Sequence, residues 1–197
     1  MRIGLCGAHR VGKSTLARLY SEVNDVPFVA SSVSAIALRY DFDMDHHRRD
    51  APAFREMQEV ILDTMEKSFR DHEVFIADRC PLDAAAYLVA DMQANTGSPA
   101  FQEGVLQYID RAVRLTNELF DAVILVPPGI SFEPMDGKPG ANLAYQEHHH
   151  LLVRGLMGEL SIPNGELARD NLKLDDRLDA VIDFADNLLR SKYGVYA

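Results

Sequence analysis

The stretch Gly7-Ala8-His9-Arg10-Val11-Gly12-Lys13-Ser14, followed by Thr15, narrows the choice of fold more than any other part of the chain. It fits G-x-x-x-x-G-K-[ST], a pattern that works through backbone geometry. Its glycines let the chain turn back so that successive N–H groups point into one concavity. A helix beginning there adds its positive N-terminal end. Such a concavity takes a chain of phosphates: Lys13 has the reach for the β- and γ-phosphates of a nucleoside triphosphate, and the Ser14 hydroxyl suits Mg2+. An incidental glycine turn would need neither flank, and both flanks are present. Residues 2–6 read as a short buried strand entering the turn, and residues 15–20 as a helix leaving it. Residues 7–15 are therefore expected to cradle a nucleoside triphosphate.

Residues 26–30, 74–77 and 122–126 are further apolar runs of strand length, as expected of strands buried on both faces. Residues 160–162 are expected to add a short fifth strand. Between them lie helical stretches. Ser31 and Ser32 are placed to cap a helix over 33–39, and Pro52 opens another in which Phe54, Met57, Ile61, Met65 and Phe69 recur at core-facing spacing. Pro81 starts the next, a break at residues 95–99 ends it, and further helices are expected over 101–119, 145–157 and 175–191. Alternating strand and helix mean a parallel sheet covered on both faces by helices, and 197 residues suit one such domain. Ligands of these sheets bind at the carboxyl ends of the strands. That rule puts the glycine loop, Ser31 and Ser32, Asp78 and Arg79, and the segment after Pro128 along one rim.

Asp78, at a strand end, is where a second acidic partner for Mg2+ beside Ser14 would sit, although a helix cap after Pro81 is the plainer use of such a residue. Arg79 offers a planar fork for phosphate or a reacting hydroxyl, its plainer use being an ion pair with Asp83. Three other clusters resist functional readings. Asp41-x-Asp43-x-Asp45 lacks the glycine and glutamate of a calcium loop, with His46 and Pro52 at those places. Glu147-His148-His149-His150 puts adjacent side chains in diverging directions on a helix, so they do not converge on one zinc ion; the surface is their plainer place, with His149 the one that could reach the lid side of the site. Arg111 and Arg114 share a helix face and are expected to pair with nearby acids. A net charge of −10 argues against a broad face for duplex DNA. Cys6 and Cys80 fit a reduced, cytoplasmic protein and not a disulfide scaffold, and no apolar run approaches a membrane span.

The glycine loop, the run Asp78-Arg79-Cys80-Pro81-Leu82-Asp83-x-x-x-Tyr87 and the later Asp136-Gly137-Lys138 together resemble the P-loop nucleoside and nucleotide kinases. The likeness is nearest to the AAA-like kinase domain typified by ribosylnicotinamide kinase, which also occurs in phage nucleotide-metabolism proteins. The resemblance implies a three-layer α/β sandwich over residues 1–197 as one domain, with a five-stranded parallel sheet in the order 2-3-1-4-5. It implies Mg-ATP on the P-loop, with Lys138 reaching the donor from a lid over residues 129–146. The acceptor would bind between the second and third strands, with Lys13, Asp78 and Arg79 at the chemistry and Ser14 and Asp78 at the metal. Two departures stand out. Relatives that phosphorylate a hydroxyl often carry a carboxylate after the second strand as general base, and this chain has Ala30-Ser31-Ser32. Their lids often carry arginines, and this one has only Lys138, with Arg154 and Arg10 as the nearest substitutes. The expectation is phosphoryl transfer to a small-molecule nucleoside or nucleotide, with a deoxynucleoside or its monophosphate favoured. Two alternatives stay open: a phage kinase acting on 5-hydroxymethyluracil in DNA, with the base flipped out, in the host cytoplasm, and a regulatory NTPase with no acceptor. Oligomeric state and the choice of ATP or GTP are not legible.

Overall fold

The first strand, β1 (Arg2–Cys6), shows why the sheet needs cover on both faces. Ile3 and Leu5 point to one side and Cys6 to the other, the period-two alternation of extended chain, and all three are buried. In the computed structural model, which describes residues 1–31, 33–42, 51–92, 98–130 and 142–194, β1 is the central strand of a five-stranded sheet. The other strands are β2 (Phe28–Ala30), β3 (Phe75–Asp78), β4 (Ala122–Leu125) and β5 (Asn164–Glu166). All pairings are parallel and the order is β2-β3-β1-β4-β5, as the resemblance implied.

Helices α1 (Lys13–Asn24) and α7 (Leu174–Tyr193) cover one face, where Leu16, Tyr20, Val181 and Ala185 pack on Ile3, Leu5, Ile76 and Ile124. The other face lies under α3 (Ala51–Arg70), α4 (Pro81–Asp91), α5 (Pro99–Leu119) and α6 (Leu143–Met157), with the short α2 (Val33–Arg39) beside α3. The stripe from Phe54 to Phe69 is buried as its spacing predicts. Phe69 stacks on Phe75 at 5.6 Å and meets Phe120 edge-on at 4.9 Å, which ties α3 to the sheet through ring contacts.

Register levels the carboxyl ends of the strands. Asp78 is paired with Leu5 on one side and Ala30 on the other, and Leu125 with Cys6 and Glu166. Backbone bonds continue past the strands: Arg79 N–H donates to Leu5 O at 2.9 Å, Val126 N–H to Cys6 O at 2.9 Å and Ser31 N–H to Asp78 O at 3.4 Å. The rim is thus one continuous ledge.

The fifth strand needs a correction, for it is Asn164–Glu166 and not residues 160–162. Leu160 and Ile162 pack against the core, but as an irregular lead-in. The ladder starts where Val123 N–H donates to Pro163 O at 3.1 Å. A half-exposed edge strand needs no apolar run, so Asn-Gly-Glu carries no periodic signal. Ser32, residues 43–50, the break at 95–97, and Lys138 with most of the expected lid lie outside the described residues. Among the described residues no helix is long and apolar enough to cross a membrane.

Candidate functional site

The P-loop leaves β1 through a conformation that only glycine holds comfortably. Gly7 has φ 133°, and a Cβ there would stand 2.5 Å from the Val126 carbonyl oxygen. Gly12, at φ 93°, turns the chain into α1. Gly12 offers that helix no side-chain cap and its own first turn holds no acid, so the N-terminal field is directed into the loop. Lys13 is only 4% exposed, and its Nζ donates to Gly7 O at 2.8 Å and Ala8 O at 2.6 Å. Burial, aided by the Arg79 charge, brings the Lys13 pKa down to about 8. Ala8 and Val11 are buried in the loop, whereas Ser14 and Thr15 are exposed at its mouth.

Distant elements brace the loop. Gln146 of α6 donates through Nε2 to His9 O at 2.7 Å, and Arg177 of α7 donates through Nη1 to Val11 O at 3.0 Å. Arg177 is itself fixed by an Nε bond to Asn171 O at 2.6 Å. The His9 ring lies 5.8 Å from that of Tyr145. Burial and then the charges of Arg79, Lys13 and Arg10 hold the His9 imidazole below its ordinary pKa.

At the end of β3 the Ser14 hydroxyl donates to Asp78 Oδ2. Asp78 Oδ1 is buried and meets no hydrogen-bond partner among the described residues, and the same holds for Ser31 Oγ next door. Asp78 is therefore not the cap of α4. Asp83 fills that role: its Oδ2 accepts the Cys80 N–H at 3.0 Å in a capping box. Arg79 adopts φ 90°, a left-handed conformation that costs a side-chain-bearing residue energy and occurs mainly where function or packing holds it. Its guanidinium carbon lies 5.1 Å from the centre of the Tyr87 ring, with Nη1 4.0 Å from Asp83 Oδ1. Burial works against the Arg79 charge, but Tyr87, Asp83 and Asp78 outweigh it and raise the pKa, so the group stays cationic. The expected Arg79–Asp83 pair thus exists, and it coexists with a place on the rim.

Elsewhere the structure divides the candidates. His150 is fully buried, contrary to the surface expectation, and so is His149, the one histidine given a second possible place at the site, because that side of α6 packs towards the P-loop and the sheet edge. His149 lies 4.0 Å from the Tyr87 ring, and burial followed by the Lys13 and Arg79 charges lowers its pKa to about 2. Arg154 is committed to Glu166 at 3.1 Å. Arg111 pairs with Glu59, Asp63 and Glu66, as expected, at 3.0, 2.6 and 2.9 Å. Among the described residues no group of three or more His, Cys, Asp or Glu side chains could hold a metal. Sequence reasoning passed over Asp83 as a strut, and over Gln146 and Arg177 altogether. The first had a legible signal, an acid at the third position of a helix opened by proline. The other two had none, since each touches the loop across more than a hundred residues of sequence.

A P-loop leaving the central strand of a 2-3-1-4-5 parallel sheet, faced by an acid-arginine pair on the next strand, defines the fold of the P-loop nucleotide kinases. Residues 2–173 match the family described as AAA domain, and the chain belongs to that family. No curated protein is a sequence match. Among solved structures, deoxyadenosine kinase from M. mycoides with bound dCTP superimposes with a TM-score of 0.69 at 16% identity, covering 95% of this chain and 100% of that one. NadR in complex with NR gives 0.67 at 15% identity over 94% of this chain and 51% of NadR. Shikimate kinase from Aquifex aeolicus gives 0.50 at 13% identity over 99% and 100%. At these identities the likeness is one of fold.

Proposed function

We propose that the chain transfers the γ-phosphoryl group of Mg-ATP to a nucleoside or nucleotide, with a deoxynucleoside or its monophosphate as the favoured acceptor. The observation that carries the proposal is the Ser14–Asp78 contact at the mouth of the P-loop, with the Arg79 guanidinium beside it. Phosphoryl transfer asks the protein for positioning and charge neutralisation more than covalent chemistry. Lys13 and the loop amides of residues 7–15 hold the donor phosphates. The residues fit Mg2+, a cation that takes one or two carboxylates plus phosphate and water oxygens: Ser14 and Asp78 supply hard oxygen donors, and Asp78 Oδ1 is buried with no hydrogen-bond partner among the described residues. When bound, Mg2+ would neutralise charge on the β- and γ-phosphates. In the transfer, the bond from the γ-phosphorus to the β–γ bridging oxygen breaks as a bond to the acceptor oxygen forms. Arg79 meets the acceptor's reacting end. A hydroxyl acceptor would give its proton to Asp78, while an acceptor phosphate needs no base. The proposal includes a single domain whose segment 129–146 closes as a lid, bringing Lys138 to the donor.

The deoxyadenosine kinase and NadR folds support a nucleoside-type acceptor, since the first has dCTP bound and the second NR. The test is ATP consumption against nucleosides, deoxynucleoside monophosphates, nicotinamide riboside, and DNA with and without hydroxymethyluracil, with Asp78→Asn alongside. Turnover that needs a small acceptor and falls at least roughly a hundredfold in Asp78→Asn is the expected result. Label entering only hydroxymethylated DNA would replace the small acceptor with a base in DNA. ADP formed equally fast with no acceptor would leave a regulatory NTPase.

A further inference from the structure

Asp83 is the carboxylate at the site to which phosphoryl transfer assigns no task. It is 1% exposed, in the first turn of α4, and its two oxygens face in different directions. Oδ2 accepts the Cys80 N–H, which the capping of α4 explains. Oδ1 accepts the Gly7 N–H at 2.8 Å, a bond that the helix does not need and that crosses to the first residue of the P-loop. Arg79 Nη1 stands 4.0 Å from that same Oδ1. Burial pushes the Asp83 carboxyl up from its ordinary pKa, while Lys13, Arg79 and the two N–H groups pull against it. Few groups in the molecule are as costly to bury, and the cost is offset only if all of these neighbours keep their places.

We propose that Asp83 is a positioning residue that locks the P-loop and Arg79 into one mutual geometry, so that a single carboxylate sets the donor half of the site against the acceptor half. The acceptor half of this inference rests on the reading of Arg79 given above; the hold on Gly7 does not. An anchor at Gly7 matters because the loop's remaining N–H groups take their direction from where the chain leaves β1. The charge opposite Arg79 matters because the arginine's left-handed backbone has to be held from outside.

The test is Asp83→Asn, which keeps shape and one acceptor oxygen but turns an NH2 towards the other N–H and removes the charge facing Arg79. ADP affinity by calorimetry reads the donor half, and kcat with acceptor KM reads the whole site, on protein shown to be folded by near-UV circular dichroism. The expected result is an ADP Kd raised roughly tenfold, the loss of about one charge-assisted bond, with kcat lowered by at least as much and acceptor KM increased. A folded variant with wild-type Kd and kcat would overturn the proposal, since a purely structural cap would alter stability alone. Should the variant not fold, amide exchange in the wild type decides: Gly7 and Cys80 amides exchange slowly without nucleotide if Asp83 holds them, and fast exchange at Gly7 rejects it. If the wild type uses no acceptor, the proposed function falls while the ADP comparison still judges the Gly7 bond.

Discussion

Replacing Lys13 with methionine should make the nucleotide-free protein more stable while destroying its use for ATP. The Lys13 ammonium lies almost wholly out of water, and its pKa has dropped from the usual 10.5 to about 8. At 1.36 kcal/mol per pKa unit, holding the charged form in the folded state costs about 3 kcal/mol at neutral pH. Methionine removes that cost but leaves Gly7 O and Ala8 O without their donor, a loss of about 1 kcal/mol for each bond. The balance is a gain of about 1 to 2 kcal/mol, or a melting temperature higher by about 3 to 6 °C for a domain of this size. The pH dependence supplies the sharper check. Unfolded Lys13 keeps its proton until about pH 10.5 and the folded residue releases it near 8. In that window the unfolded chain binds more protons, so the wild type gains on the variant as pH rises. Thermal unfolding of both proteins without nucleotide, at intervals from pH 7 to 10.5, should show the variant ahead at pH 7 and the lead shrinking to nothing or reversing. A variant that melts lower at pH 7, or a gap that does not change with pH, would refute the reasoning.

Gly7→Ala should be severe on two counts, since φ 133° is strained for alanine and its Cβ would stand 2.5 Å from Val126 O. Strain of this kind costs about 1 to 3 kcal/mol before the clash is added, so thermal unfolding should show a clear loss of stability and calorimetry a loss of ADP binding. Arg111→Ala should leave turnover unchanged and cost about 1 kcal/mol or less, because its three acidic partners are at least partly exposed. A collapse of turnover in that variant would instead place α5 at the acceptor.

What could be read from the sequence was the part governed by local rules. The P-loop glycines, the buried runs that became β1 to β4 and the stripe from Phe54 to Phe69 each report their structure through short-range spacing, and the rule that ligands bind at strand ends brought Asp78 to Ser14. Strand β5 was misplaced because it takes its form from the neighbouring β4 and not from its own polar residues. The burial of His150, and the depth of His149, went unread for a related reason. Their charge at a surface is a property of the free residue, whereas their burial is decided by what α6 packs against. Asp83 lay between these cases. Its bond to Cys80 spans three residues and follows a capping pattern, but its bond to Gly7 spans seventy-six and follows none.

The braces on the P-loop also make the loop's shape depend on residues far along the chain from it. In chain order the glycines come first, Gln146 follows more than a hundred residues on, and Arg177 later still. A chain carrying only residues 1–130 has the whole phosphate-binding motif, yet no donor for the carbonyls of His9 and Val11. A truncation that ends before residue 142 should therefore keep the motif in sequence but bind ADP more weakly in calorimetry, since it lacks both braces.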